Sequence, residues 1–326
     1  MNNLVVENIV KIPKMKNKIR YSKIINKVSV SPFIKWAGGK SALLDDIRKL
    51  YPIGLGTKIN KYCEPFIGGG AVLFDILSNY DMKEIYISDL NSELITTYKT
   101  IKNNVNELIY ILKKIENEYI TLDNIARKEY YYKKRDDFND YINKVLNDDI
   151  YGSALFIFLN RTCFNGLYRV NSKGLFNVPM GAYKNPKICN EENLKNISKK
   201  LKSIKIICGS YDKSYDFIDE KTFVYFDPPY RPLTQTASFT SYDKMCFDDR
   251  EQEKLAKYFE KVNLKGAVAV LSNSDPKNIN ENDNFFDDLY SKFNIYRIQS
   301  KRRINSNASK RGNISELLIT NYNKGV

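Results

Sequence analysis

The sequence predicts an α/β protein: a largely parallel, Rossmann-like sheet with a second, mainly helical domain inserted into it. Three observations carry this. Short apolar runs rich in β-branched and aromatic residues recur at 62–66 (YCEPF), 85–90 (IYISDL), 204–208 (IKIIC), 223–227 (FVYFD), 267–274 (AVAVLSNS), 295–299 (IYRIQ) and 317–322 (LLITNY), each bounded by turn residues as strands are. Helical patterns lie between several of them. The third observation is a change of texture between residues 97 and 200.

The strands fall into two groups, one before residue 97 and one after residue 200. In the second group, DDREQEKLAKYFEKV (248–262) carries acids in its first turn and apolar residues spaced as on one helix face. Strands alternating with helices imply a parallel sheet. The middle region begins with long Lys-, Glu- and Asn-rich helical stretches (98–146). It ends in aromatics alternating with Arg, Asn and Gly (154–186), where NSKG (171–174) reads as a hairpin turn. The expected organisation is a basic arm over 1–30, a core from 31–96 and 201–326, and an inserted domain over 97–200.

The net charge of +14 favours a polyanionic partner, nucleic acid first, although an AT-rich genome would also raise the Lys count. The chain has no histidine. That excludes Ser-His-Asp triads, Cys-His nucleophiles and the zinc deaminase signature, all of which need an imidazole. Cys63, Cys163, Cys189, Cys208 and Cys246 are widely spaced with no C-x-x-C pair. They read as reduced thiols of a cytoplasmic, non-secreted protein and not as a metal site, so no metal is expected. No apolar run approaches a membrane span, and the Lys-rich N-terminus has no apolar signal core.

In EPFIGGGAVLFDI (64–76) a strand gives way to a helix through Gly68, Gly69 and Gly70. Such a turn allows close backbone approach to a ligand at a helix N-terminus. Asp89 ends the next strand, where an acid suits ribose hydroxyls. The pair indicates a nucleoside cofactor and leaves NAD and S-adenosylmethionine unseparated. FVYFDPPYRP (223–232) raises a sharper question, because a core strand stops on Asp227-Pro228-Pro229-Tyr230. Neither proline can donate a ladder hydrogen bond. A carboxylate beside fixed, unpaired carbonyls can accept both protons of an exocyclic amino group, and Tyr230 offers a face for a planar base. The plainer reading is a Pro-terminated strand with an ordinary Asp. FIKWAGGK (33–40) places Lys35, Trp36 and Lys40 around a Gly pair.

Taken in order, FIKWAGGK, EPFIGGG, ISDLN, NRTCFNGLYRVNSKGLFNVP, DPPY and RGNISELLITNY resemble the S-adenosylmethionine-dependent DNA adenine-N6 methyltransferases of the DPPY type, over nearly everything from Ser31 to Tyr322. The resemblance implies a methyltransferase core with an inserted target-recognition domain. It implies that Trp36 and Lys40 meet the methionine end of the cofactor, that Glu64, Phe66, Gly68 and Gly70 line its turn, and that Asp89 holds the ribose. Ser210 and Tyr211 fall where the adenine ring would lie. Asp227, Pro228 and Tyr230 would hold a flipped target adenine, with Asp227 also bordering the cofactor. Lys35, Phe164, Asn165, Leu167, Arg169 and Pro179 would meet duplex DNA, Arg169 reading a guanine edge and the target being GATC. A restriction endonuclease reading the same site is a candidate second partner. The competing readings are an RNA or protein-amide methyltransferase, a non-catalytic DNA-binding relative, and a NAD-dependent dehydrogenase supported only by Gly68–Gly70 and Asp89.

Overall fold

The computed structural model describes residues 29–231, 247–301 and 313–323. Most of the expected basic arm, Cys246, and Arg311 and Gly312 of the last motif lie outside the described residues. Val30 is already buried in the core.

Seven strands form one sheet: β1 (Lys61–Glu64), β2 (Glu84–Asp89), β3 (Lys205–Cys208), β4 (Thr222–Phe226), β5 (Val268–Ser274), β6 (Asn294–Lys301) and β7 (Asn313–Thr320). Their order is β3-β2-β1-β4-β5-β7-β6. The first five are parallel, and β7 runs antiparallel between β5 and β6. Each apolar run read from the sequence became a strand. This is a mixed α/β, Rossmann-like sheet of the kind the resemblance implies.

The strand order reverses between β1 and β4, since β2 and β3 continue to one side and β5 to the other. Ligand crevices of open α/β sheets form at the carboxyl ends of strands at such a reversal. β4 lies at the centre, and all five of its residues are buried, as expected of a strand covered on both faces. Its side chains alternate between two clusters. Phe223 and Tyr225 join Tyr62, Ile87 and Leu318 on one face. Val224 and Phe226 join Cys63, Leu271 and Ile319 on the other.

The helices are α1 (Leu44–Arg48), α2 (Ala71–Asn79), α3 (Ser92–Asn103), α4 (Val105–Ile120), α5 (Asn124–Ile142), α6 (Asp149–Thr162), α7 (Glu191–Leu201), α8 (Asp249–Leu264) and α9 (Phe285–Leu289). Several have N-caps readable in sequence: the side chains of Asn91, Asp123, Asp148 and Asp248 accept backbone N–H bonds at the starts of α3, α5, α6 and α8. Between β2 and β3, α6 is buried almost along its whole length. It brings Phe156 and Phe158 against Tyr131, Phe138 and Tyr119 of α4 and α5, in the same cluster as the first sheet face. A hairpin follows α6. Its turn is closed by Gly174 N–H donating to Asn171 O at 2.8 Å, with Val170 bridged to Phe176. No helix among the described residues is long and apolar enough to cross a membrane.

Candidate active site

The two motifs of the crevice are delivered by neighbouring strands. β1 ends at Glu64 and runs into the glycine turn, while β4 ends at Phe226 and runs into Asp227-Pro228-Pro229-Tyr230. In the glycine turn Gly68 has φ 45° and Gly70 φ 71°. A Cβ on Gly68 would lie 2.7 Å from Trp36 Cδ1, and one on Gly70 2.5 Å from the Tyr98 hydroxyl. Both positions therefore require glycine for conformation and for space. Gly70 immediately precedes α2, so the turn opens at a helix N-terminus.

Asp89, at the end of β2, accepts from Gly68 N–H at 3.0 Å through Oδ2 and from Asn91 N–H at 2.9 Å through Oδ1. Burial pushes its carboxyl up and these backbone bonds oppose the push. Its oxygens thus already hold the turn, and each retains a lone pair. Phe66 faces Tyr211 at 5.4 Å between ring centroids and Phe247 at 5.9 Å. Ser210 directly precedes the 3-10 turn Tyr211–Phe217.

Lys40 is only 3% exposed. Its ammonium lies 2.6 Å from Asp227 Oδ1, donates to Gly38 O at 2.6 Å, and sits 4.7 Å from the Tyr230 ring centroid. Ser272 Oγ donates to the same Asp227 Oδ1 at 2.9 Å. Asp227 Oδ2 takes no bond from a described residue, and neither does the carbonyl of Pro228. The Pro229 carbonyl corrects the expectation that both proline carbonyls stand unpaired: it accepts from Gln252 Nε2 at 3.1 Å. Glu64 is buried beside this group and accepts from the Tyr62 hydroxyl at 2.7 Å. Burial holds its carboxyl well above the usual range; the Tyr62 bond works against that, and nearby Asp227 adds to it.

The residues expected to meet DNA gather around the hairpin and the 33–40 loop. Asn160 on α6 joins the two: its side chain accepts from Lys35 N–H and donates to Lys35 O, both at 2.8 Å, and donates to Gly166 O at 3.0 Å. Lys35 Nζ reaches the Tyr183 hydroxyl at 3.2 Å. Trp36 stacks on Tyr168 at 5.9 Å, so this ring touches both the glycine turn and the hairpin. Phe164 is 52% exposed, and Asn165 beside it has φ 56°. Leu167 packs partly against the core, Pro179 is exposed, and its carbonyl accepts from Phe164 N–H. Arg169 is tied across the hairpin to Asn177 Oδ1 at 2.8 Å through Nε.

Four contributors escaped sequence reasoning. Ser272 on β5 holds Asp227. Gln252 on α8 holds Pro229, and Asn273 Nδ2 donates to Gln252 Oε1 at 3.1 Å, both side chains being fully buried. Glu316 on β7 accepts from the Tyr230 hydroxyl at 2.6 Å. Glu316 lies inside RGNISELLITNY, one of the stretches that carry the family resemblance, whereas Ser272, Asn273 and Gln252 lie in runs read only as a strand and a helix.

A strand-end carboxylate and a carbonyl that no described residue binds, beside an aromatic ring and next to a glycine turn on the adjacent strand, suit an amino group on a planar base. Comparison with known proteins agrees. Residues 36–304 match the family described as D12 class N6 adenine-specific DNA methyltransferase. A type II methyltransferase of Methanocaldococcus jannaschii, M.MjaIII, is 51% identical over 297 residues, covering 90% of this chain and 100% of that protein. A type II methyltransferase of Lactococcus lactis is 40% identical over 300 residues, covering 91% of this chain and 97% of its own. The DNA adenine methylase of Escherichia coli is 34% identical over 294 residues, covering 90% and 96%. By the family match over most of its length and by a relative 51% identical to it, the chain belongs to the D12 class of N6 adenine-specific DNA methyltransferases.

Proposed function

We propose that this enzyme takes its methyl group from S-adenosylmethionine and places it on N6 of adenine in GATC, in duplex DNA, after the target base has left the helix. The observation that carries the reading is a pair of acceptors with no partner among the described residues, Asp227 Oδ2 and the Pro228 carbonyl, beside the Tyr230 ring and one strand away from the glycine turn.

The residues present fit the proposed methyl donor. Gly68 and Gly70 make a tight left-handed turn at the N-terminus of α2, packed so closely on Trp36 and Tyr98 that only glycine fits, and such a turn lets a ligand approach the backbone. On this reading Trp36 and Lys40 would meet the donor's methionine end from the 33–40 loop, Glu64 and Phe66 would line the turn from β1 and its exit, and Asp89 would hold the ribose from β2. Tyr211 beside Phe66, following Ser210, forms an aromatic wall on which an adenine ring could lie. Bound there, S-adenosylmethionine supplies an electrophilic sulfonium methyl.

The chain's own residues supply positioning and electrostatics. The amino nitrogen of adenine is a poor nucleophile because its lone pair is delocalised into the ring. Hydrogen bonds from its two protons to Asp227 Oδ2 and Pro228 O favour a localised lone pair. Lys40 and Ser272 fix Asp227 Oδ1 and so aim Oδ2. Tyr230 presents its face to the base, whose extrusion costs a few kcal/mol, recovered in the pocket. The segment over 97–200, with Phe164, Asn165, Leu167, Arg169 and Pro179, forms the DNA-recognising unit together with Lys35. A restriction endonuclease reading the same site is the proposed second partner, a reading supported by the two relatives named type II methyltransferases.

Mapping N6-methyladenine in DNA from a methylation-free host expressing the chain tests the site. Modification centred on GATC is expected, and another tetranucleotide overturns the site. Binding of labelled S-adenosylmethionine in preference to NAD tests the donor.

A further inference from the structure

The three residues leaving the Asp227-Pro228 pair are each gripped by a different contact. Gln252 holds the Pro229 carbonyl. Arg231 is forked onto Asp249, with Nε to Oδ1 at 2.6 Å, and reaches Asp283 Oδ2 through Nη1 at 2.7 Å. Between them, Tyr230 donates its hydroxyl to Glu316 Oε2 at 2.6 Å. That distance is typical of a charge-assisted O–H···O⁻ bond. Burial, reinforced by the charge of Asp227, holds the Tyr230 phenol far above its ordinary range, so it remains the donor.

Glu316 owes its position to the one reversal of strand direction in the sheet. β7 is antiparallel, so its early residues stand at the carboxyl edge of the parallel strands, with Glu316 opposite Ser274, the last residue of β5. The Lys40 ammonium lies 4.7 Å from the Tyr230 ring centroid. Lys40 and Glu316 thus fix the ring from two directions, by its face and by its hydroxyl.

We propose that Glu316 is a positioning residue for methyl transfer: it sets the plane of the Tyr230 ring against which the target adenine stacks. This rests on the proposed stacking role of Tyr230. Because Pro229 and Arg231 have their own anchors, losing Glu316 frees the ring while leaving the turn in place. The acceptor oxygen performs the task, not the charge, so a glutamine at 316 serves nearly as well.

The test is a double-mutant cycle on the full chain, using single-turnover transfer and the fluorescence of 2-aminopurine at the target position of duplex DNA. Glu316→Leu and Tyr230→Phe should each slow transfer by about tenfold, the scale of one charge-assisted hydrogen bond. Their combination should be no slower than the slower single variant. Glu316→Gln should stay within about threefold of wild type, since its amide oxygen still accepts from the phenol. Affinity for DNA should hold while the transfer rate falls. Transfer by Glu316→Leu close to wild type, or losses that multiply in the combined variant, overturns the proposal. Tyr230→Phe removes the same bond from the other side if Glu316→Leu does not fold, and transfer by Tyr230→Phe close to wild type is equally decisive against it. Tyr230→Ala separates the two readings. If it leaves the 2-aminopurine signal unchanged, the stacking role itself fails. If it abolishes the signal while Glu316→Leu behaves as wild type, only the role of Glu316 fails.

Discussion

The ammonium of Lys40 lies 2.6 Å from Asp227 Oδ1, fastening the loop ahead of α1 to the turn after β4. Lys40 is buried and, among the described residues, its other hydrogen bond is to Gly38 O. Asp227 therefore has two tasks: it neutralises a buried cation with one oxygen and offers the other to the crevice. Asp227→Ala should slow methyl transfer by about 100-fold or more. It should also destabilise the fold by about 3 kcal/mol, because it leaves the ammonium unpaired. DNA affinity should be nearly unchanged. Single-turnover transfer, urea unfolding and DNA titration measure the three effects. Transfer within a few-fold of wild type would remove Asp227 from the target site.

Glu64 gives a pH signature. Burial raises its folded-state pKa well above the ordinary 4.5. Below that ordinary value the carboxyl is protonated folded and unfolded, and costs nothing extra. As pH rises, the unfolded chain releases the proton while the folded chain keeps it, so stability falls until the folded value is passed. Glu64→Gln keeps an acceptor for the Tyr62 hydroxyl and removes the titration. The variant should be more stable than wild type near neutral pH, with its advantage shrinking toward pH 4.5. Thermal unfolding across that window checks this. A variant that loses ground to wild type as pH rises would show that the ionised form is favoured in the fold.

Gln252 makes two bonds with one side chain: it donates to the Pro229 carbonyl and accepts from Asn273 Nδ2. Gln252→Leu removes both without burying a charge. It should slow transfer by about tenfold with DNA affinity retained. It should also lose about 1–3 kcal/mol of stability, because Asn273 Nδ2 is left buried without a partner. Single-turnover transfer and urea unfolding measure the two effects, and stability equal to wild type would show that the Asn273 bond contributes little.

Gly70 tests the glycine turn. At φ 71°, with the Tyr98 hydroxyl 2.5 Å from an added Cβ, Gly70→Ala is both strained and crowded. It should cost about 1–3 kcal/mol in unfolding free energy and weaken binding of labelled S-adenosylmethionine. Tyr98→Phe in the same chain should recover part of the stability by removing the crowding atom, though not the strain. No recovery would place the whole cost in the backbone.

The sheet was readable because each strand carries its own apolar run between turn residues, and α8 because its acids and apolar spacing agree: the pattern over 248–262 became Asp249–Leu264 capped by Asp248. Strand order was not readable, since it depends on crossovers that no local pattern encodes. The same limit applies to the site. Asp227, Tyr230 and the glycines announce themselves by unusual neighbours in the chain. Ser272, Gln252 and Glu316 are ordinary residues in ordinary strands and a helix, and they acquire their partners only when β5, β7 and α8 pack around the turn. Pro229 looked like a second free acceptor for the same reason, because its donor arrives from a helix further along the chain.

Arg169 carries the last prediction. Its Nε donates to Asn177 Oδ1 at 2.8 Å and its Nη2 lies 3.4 Å from Asn177 O, so Asn177 occupies one fork of the guanidinium. No described residue accepts from Nη1, which leaves the Nη1–Nη2 fork for the O6 and N7 of a guanine. If the target is GATC as proposed, Arg169→Ala should cost about 1–3 kcal/mol of discrimination at its last position, where the guanine read by Arg169 would oppose the final cytosine. Arg169→Lys should not rescue it, since an ammonium has no planar fork. Asn177→Ala should relax the same position by less, because it unties the guanidinium without removing it. Transfer rates on duplexes substituted at that one base pair give the discrimination directly. If Arg169→Ala instead weakens binding to every sequence alike and lowers the salt dependence, Arg169 contacts a phosphate, and the reader of that guanine lies elsewhere.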